Sequence, residues 1–120
     1  MNTSTIIYLE FIRKVVLSLP GTREGLCFGT EGFYFQKKLL ARMKEDGETL
    51  AMPVANRDAL IKADPDIFYI TPHYDNSNYV LVKLAAVQPE VLKQLLIDGW
   101  LTRASKTAIK EYQERVKGII

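Results

Sequence analysis

The chain has 120 residues, 48% hydrophobic and 25% charged, with a formal net charge of +2; this suits one domain, residues 1–120, around one core. Such a composition excludes a disordered or low-complexity polymer. The small net charge is no argument for nucleic acid by itself, and the one cysteine, Cys27, excludes an internal disulfide.

The N-terminal stretch "MNTSTIIYLEFIRKVVLSLPG" is apolar, but Glu10, Arg13 and Lys14 interrupt it and no basic segment precedes it. It does not read as a secretory leader. No run approaches the ~18 uncharged apolar residues of a membrane span. A cytoplasmic protein without membrane attachment is expected. The same stretch predicts a helix over about residues 4–18, capped by Thr3 or Ser4 and stopped by Pro20-Gly21. Ile7, Phe11 and Val15 form its apolar stripe, with Tyr8, Ile12, Val16 and Leu19 beside them. Glu10 and Lys14 make an i,i+4 pair on the wet side.

The period then changes from helical to alternating. "GLCFGTEGFYFQ" reads as a short strand, a turn and a second strand. In "KKLLARMKEDGETLAMPV", Leu39, Ala41 and Met43 alternate with Lys38, Leu40, Arg42 and Lys44. After Asp46-Gly47, Leu50, Met52 and Val54 alternate with Thr49, Ala51 and Pro53. The Asp-Gly pair between alternating runs predicts a hairpin, apolar on one face and basic on the other. "ANRDALIKADP" is expected as a short helix, capped by Asn56 and ended at Asp64-Pro65. Two strands follow, "DIFYI" and "NYVLVKL", joined by the polar loop "TPHYDNS". A helix over "QPEVLKQLLIDG" has Pro89 in its first turn, Gly99 past its end, and a core stripe of Val91, Leu92, Leu95 and Leu96. "RASKTAIKEYQERVKG" gives a last helix with Ile109, Tyr112 and Val116 on one side. The order is α-β-β-β-β-α-β-β-α-α. Tight turns between strands predict an antiparallel β-sheet with the helices packed on one face, an α+β fold.

Little catalytic chemistry is present. One Cys and one His leave mostly carboxylates for a metal, and Asp64, Asp66 and Asp75 are expected to serve turns. No metal site and no cofactor are implied. The glycines at 25, 29 and 32 lack the lysine of a phosphate loop. Cys27 and His73 are formally a nucleophilic pair. Cys27 lies in apolar "GLCFG" with no cationic neighbour in sequence, and reads as a small buried hydrophobe. His73, the sole histidine, needs an orienting partner to act as acid or base. Asp75 provides one only if the loop folds back, so His73 is read as a loop residue beside a binding surface, with no catalytic residue assigned. Tyr74 and Trp100 fall at element ends, where an aromatic ring stacks on a ligand or plugs a sheet edge.

Several stretches together resemble the MmcQ/YjbR family of small bacterial proteins: "LSLPGTREGLCFG", "KKLLARM", "LAMPVANRDALI", "FYITPHYDNSNYVLVKL" and "LLIDGWLTRASK". The resemblance spans almost the whole chain. It implies a fold like that of the bacterial frataxin homologue CyaY, and a DNA-binding role through a double-wing arrangement of strands. Carried over by position, its pattern marks Glu24, Phe28, Gly29, Arg57, Pro72, Tyr74 and Lys106. The chain departs from it at Tyr79, where tryptophan is common, and at "DGW" over 98–100 in place of a Ser-Tyr pair. Frataxin's iron handling does not transfer with the shape, because it needs a crowded acidic helix and the first helix here carries only Glu10 beside Arg13 and Lys14.

Three readings follow, the last and least favoured being an enzyme that acts through His73. In the first, the protein binds DNA through Lys37, Lys38, Arg42 and Lys44 on a hairpin wing, extended by Arg57, Arg103 and Lys106, as a monomer or weak homodimer. In the alternative, His73, Tyr74, Trp100 and Arg57 line a patch at one end of the sheet that takes a small molecule or a protein.

Overall fold

The computed structural model describes residues 2–118. In chain order the elements are α1 (Thr3–Val16), β1 (Thr22–Cys27), β2 (Thr30–Phe35), β3 (Lys38–Met43), β4 (Thr49–Pro53), α2 (Arg57–Ala63), β5 (Phe68–Tyr69), β6 (Tyr79–Lys83), α3 (Pro89–Arg103) and α4 (Lys106–Gly118). A 3₁₀ turn over Pro72–Tyr74 interrupts the β5–β6 connection. The strands form one six-stranded sheet in the order β1-β2-β3-β4-β6-β5, and every pairing is antiparallel. The α+β fold and element order are those the sequence predicts. No helix among the described residues is long and apolar enough to cross a membrane.

Alternation explains the packed side. Phe33, Phe35, Leu50, Met52, Val80, Val82 and Leu84 point the same way and are buried. Met43, Leu50, Val82 and Phe68 lie in one cross-strand row. Over these rows sit α1 and α3, packed on each other, with α1 against β1 and α3 against β3. The stripe of α1 differs from the expected one: Leu9, Ile12 and Val16 are sealed, whereas Ile7 is 58% exposed. Ile7 and Phe11 instead border a small apolar cleft against Val87, Pro89 and Leu92 at the start of α3. The helix cap is Asn2, whose side chain accepts the Thr5 N–H at 2.8 Å. Glu10 and Lys14 are both exposed, and no ion pair joins them among the described residues.

Gly99 does not end α3. The helix runs on to Arg103 because Gly99 and Trp100 are themselves core residues. Trp100 is fully buried, and its indole N–H donates to the Pro20 carbonyl at 3.0 Å. Tyr112 of α4 meets it edge-on at 5.2 Å. Ala108 and Ile109 of α4 also pack against the core, whereas Val116 is 56% exposed.

The β3–β4 connection is longer than a two-residue hairpin. Asp46 folds it by accepting the N–H groups of Glu48 and Thr49 and the Thr49 hydroxyl. Gly47 has φ +68°, and a Cβ there would lie 2.5 Å from the Thr5 hydroxyl oxygen. That hydroxyl donates to the Gly47 carbonyl and ties the start of α1 to the turn. Glycine is required here by backbone and by space alike.

Candidate binding site on the far face of the sheet

The far face, turned away from α1 and α3, is shaped by one irregularity. Phe33 pairs with Ala41 and Tyr34 with Leu39, so Leu40 is an extra, unpaired residue in β3. This β-bulge interrupts the alternation. Leu40, Ala41 and Met43 are all buried in the core. Leu39, Arg42 and Lys44 line a cavity on the far face. The strict alternation expected from the sequence, with Lys38, Leu40, Arg42 and Lys44 on one side, is therefore corrected. Lys38 lies on the other side of the bulge, facing the C-terminal end of α3.

A cavity of about 550 Å³ opens on this face, within the range of small-ligand sites. Leu39 and Ala51 form its floor, Tyr79 and Tyr74 one wall, and Cys27 and Phe28 from the β1–β2 turn the other. Its mouth carries Lys44, Glu45 and His73. The loop "TPHYDNS" folds over the sheet to bring His73 and Tyr74 here, and Lys44 donates to the Tyr74 hydroxyl at 3.1 Å. The rings cluster: His73 meets Tyr74 edge-on at 4.9 Å, and Tyr74 stacks on Tyr79 at 6.0 Å.

Arg57 holds this loop. Its guanidinium donates to the carbonyls of Tyr74, Asp75, Ser77 and Tyr79. Only 15% of its side chain is exposed. A ligand-facing arginine was expected at this position, and the structure gives it a scaffolding role.

Arg42 is also committed. It is 6% exposed, donates from Nε to the Cys27 carbonyl at 2.9 Å and pairs with Glu45. Its guanidinium lies 5.3 Å from the centre of the Phe28 ring. The Glu45 carboxyl is held below its ordinary value by its own backbone N–H and by Arg42. Lys44 approaches the same carboxylate at 3.8 Å. Burial pushes the Tyr79 hydroxyl up, opposed by the nearby Arg103.

The fold of this chain is similar to that of a DUF419 domain. The crystal structure of the DUF419-domain protein DR2400 of Deinococcus radiodurans superposes with a TM-score of 0.70 at 25% identity, over 86% of each chain. The uncharacterized proteins Mb2600 of Mycobacterium bovis and Rv2570 of Mycobacterium tuberculosis are 35% identical over 54 residues, 45% of this chain and 42% of theirs. The matched stretch is thus less than half the length of those relatives. No protein-family model matches the chain.

On this DUF419-like fold, the residues singled out in the sequence separate into distinct places. His73, Tyr74, Arg42 and Lys44 meet at the far-face cavity, with Arg57 behind the loop. Trp100, expected to share a ligand patch with Tyr74, is sealed in the core on the opposite side of the sheet; its large ring is better buried and its N–H is already satisfied. Lys38 and Arg103 border a second hollow at the sheet end, beside Asn56, Asn78 and Asp98. Lys37, Lys38 and Lys106 are exposed, and none is ion-paired among the described residues. Cys27 is half-buried at the cavity wall, not the core hydrophobe expected. Reasoning from sequence missed Leu39 and Ala51 as floor residues, because the bulge leaves no mark in the hydrophobic period. Phe28 carries the one local signal that was available: a bulky residue before the glycine of a two-residue turn.

Proposed function

We propose that this chain is a small-molecule-binding module whose ligand occupies the far-face cavity. What carries this reading is the expenditure of a nearly buried arginine, Arg57, on four carbonyls of one loop. A loop rich in polar residues has no core to hold it over a sheet. Here it is held so that Tyr74 walls, and His73 edges, a recess lined by the apolar Leu39 and Ala51. Pre-organisation of this kind favours binding, because the ordering entropy is settled before the ligand arrives. A melting-temperature screen against a metabolite library tests it. At least one compound should stabilise the wild type and leave Tyr74→Ala unshifted. A library that shifts neither protein, or both equally, overturns the reading.

We further infer membership of the MmcQ/YjbR group. Four positions of its pattern, Phe28, Gly29, Pro72 and Tyr74, fall in the turn and the loop that frame the cavity, and Arg57 holds that loop.

Nucleic-acid binding is the second reading. It is favoured by Lys37 and Lys38, which are exposed at the β2–β3 turn without a carboxylate partner among the described residues. Such contacts weaken steeply with salt. Arg42 does not suit this role, being buried and paired. Anisotropy titrations with a DNA duplex at low salt should show binding that Lys37→Glu with Lys38→Glu abolishes; no change between the two proteins removes DNA from consideration.

A further inference from the structure

The β1–β2 turn breaks a local rule. Cys27 pairs with Thr30, so Phe28 and Gly29 are the two central residues, with φ of 52° and 83°. Positive φ at both positions is the type I′ hairpin, for which Asn-Gly is the favoured pair. A phenylalanine there sets its Cβ against the backbone, an arrangement rare for bulky residues. Phe28 is also 88% exposed. The position is therefore unfavourable twice, in backbone strain and in apolar surface left in water. Gln36, the other non-glycine residue with positive φ among the described residues, differs. Its N–H donates to the Gly21 carbonyl and its own carbonyl accepts from Arg23, so the surrounding bonds hold it. The Phe28 ring meets the Arg42 guanidinium at 5.3 Å and is otherwise left in water; a strained, exposed aromatic at the edge of a cavity points to a ligand.

We propose that Phe28 is one jaw of an aromatic clamp, and that the ligand is a planar aromatic monoanion. This rests on the far-face cavity being the binding site. Phe28 and Tyr74 line the same cavity, together with the apolar Leu39 and Ala51 of the sheet. Ring faces attract flat π systems, in offset or edge-on contact. The charge at the rim selects the sign. Arg42 and Lys44 contribute two positive charges and Glu45 one negative, leaving one positive charge uncompensated. Lys44 carries that excess, since Arg42 is engaged with Glu45 and the Cys27 carbonyl. An aryl carboxylate places its acid group beside the Lys44 ammonium and the Tyr74 hydroxyl, which already touch. An aryl ammonium meets the Lys44 cation instead, with the Glu45 carboxylate already paired to Arg42, and is disfavoured.

Calorimetric titration with 2-naphthoate, 2-naphthylmethylamine and cyclohexanecarboxylate tests this, together with melting curves. Wild type should bind 2-naphthoate at least about tenfold tighter than the other two probes, a difference of about 1.4 kcal/mol. Phe28→Asn should weaken naphthoate about tenfold or more, yet melt a few degrees higher, because it installs the favoured turn residue. Retained affinity in Phe28→Asn, with loss in Tyr74→Ala, overturns the clamp and leaves the cavity standing. Affinity intact in both variants removes clamp and cavity together. A lower melting point for Phe28→Asn makes Phe28 a structural contact and overturns the argument from strain. Wild type that binds no probe, or prefers the amine, overturns the ligand class.

Discussion

The two faces of the sheet each hold large aromatic side chains that look alike in the sequence and behave as opposites in the fold. Trp100 sits under the helices with no exposed surface and a satisfied N–H. Tyr74 sits on the far face, half-buried, its hydroxyl bonded to a lysine at the mouth of a cavity. Both lie near the end of an element, both beside basic residues. The difference is what covers them. Two helices close the first face and leave no room for a partner. The second is covered only by a loop and a turn tip, which leave a recess. An aromatic ring belongs to the core or to a site according to whether the surface above it is filled.

Substitutions should separate the two faces. The largest effect is expected from Trp100→Ala, which opens a cavity in a packed core and should cost about 3–5 kcal/mol in denaturant unfolding. Ligand affinity per folded molecule should be unchanged; lost affinity there would mean that the faces are coupled. Next comes Arg57→Ala, which frees four carbonyls of the far-face loop. A loss of about 2–3 kcal/mol is expected, with faster hydrogen exchange over residues 71–79 and weakened ligand binding. Exchange that stays uniform would deny Arg57 its scaffolding role. Tyr74→Ala should remove under about 1 kcal/mol of stability, since the ring is only half-buried, while abolishing the ligand-induced shift. A stability loss as large as that of Trp100→Ala would erase the contrast between the faces.

The smallest expected effect is a pH dependence on the helical side. Arg13 and Glu24 form a two-pronged pair at 2.7 and 2.8 Å between α1 and β1. The hydrogen bond from Arg13 holds the Glu24 carboxyl below its ordinary value of 4.5, against the opposing effect of burial. A depressed carboxyl stabilises the fold above its unfolded-state pKa and loses that contribution as pH falls through the folded value. Stability should therefore drop as pH is lowered from about 4.5, by a few tenths of a kcal/mol, because both side chains are partly exposed. Glu24→Gln should flatten this part of the curve relative to wild type. Equal slopes would show that the pair is neutral to stability.

Much of the fold was legible because it depends on period and punctuation. Alternation marked β4 and β6, glycines and aromatics marked β1 and β2, the Pro20-Gly21 stop marked the end of the first helical segment, and Pro89 marked the start of α3. Gly99 misled, since a buried helical glycine and a helix-ending glycine are written with the same letter. The candidate cavity draws on both sequence readings: His73 and Tyr74 come from the expected ligand patch and Arg42 and Lys44 from the expected DNA-binding wing, whereas Arg57 and Trp100 are committed to structural contacts. Lys38 left the group for a reason that hydropathy does not record, the bulge at Leu40.

By itself the sequence determined the α+β class, the order of the elements and the antiparallel pairing, since local propensity, side-chain period and turn chemistry act over a few residues. Only the tertiary structure decided which cations are solvated and which are paired, and which aromatics face a recess. It also decided that segments 45 residues apart, around Phe28 and His73, form opposite walls of one cavity. Those outcomes depend on what packs above each side chain, and that neighbour is distant in the chain.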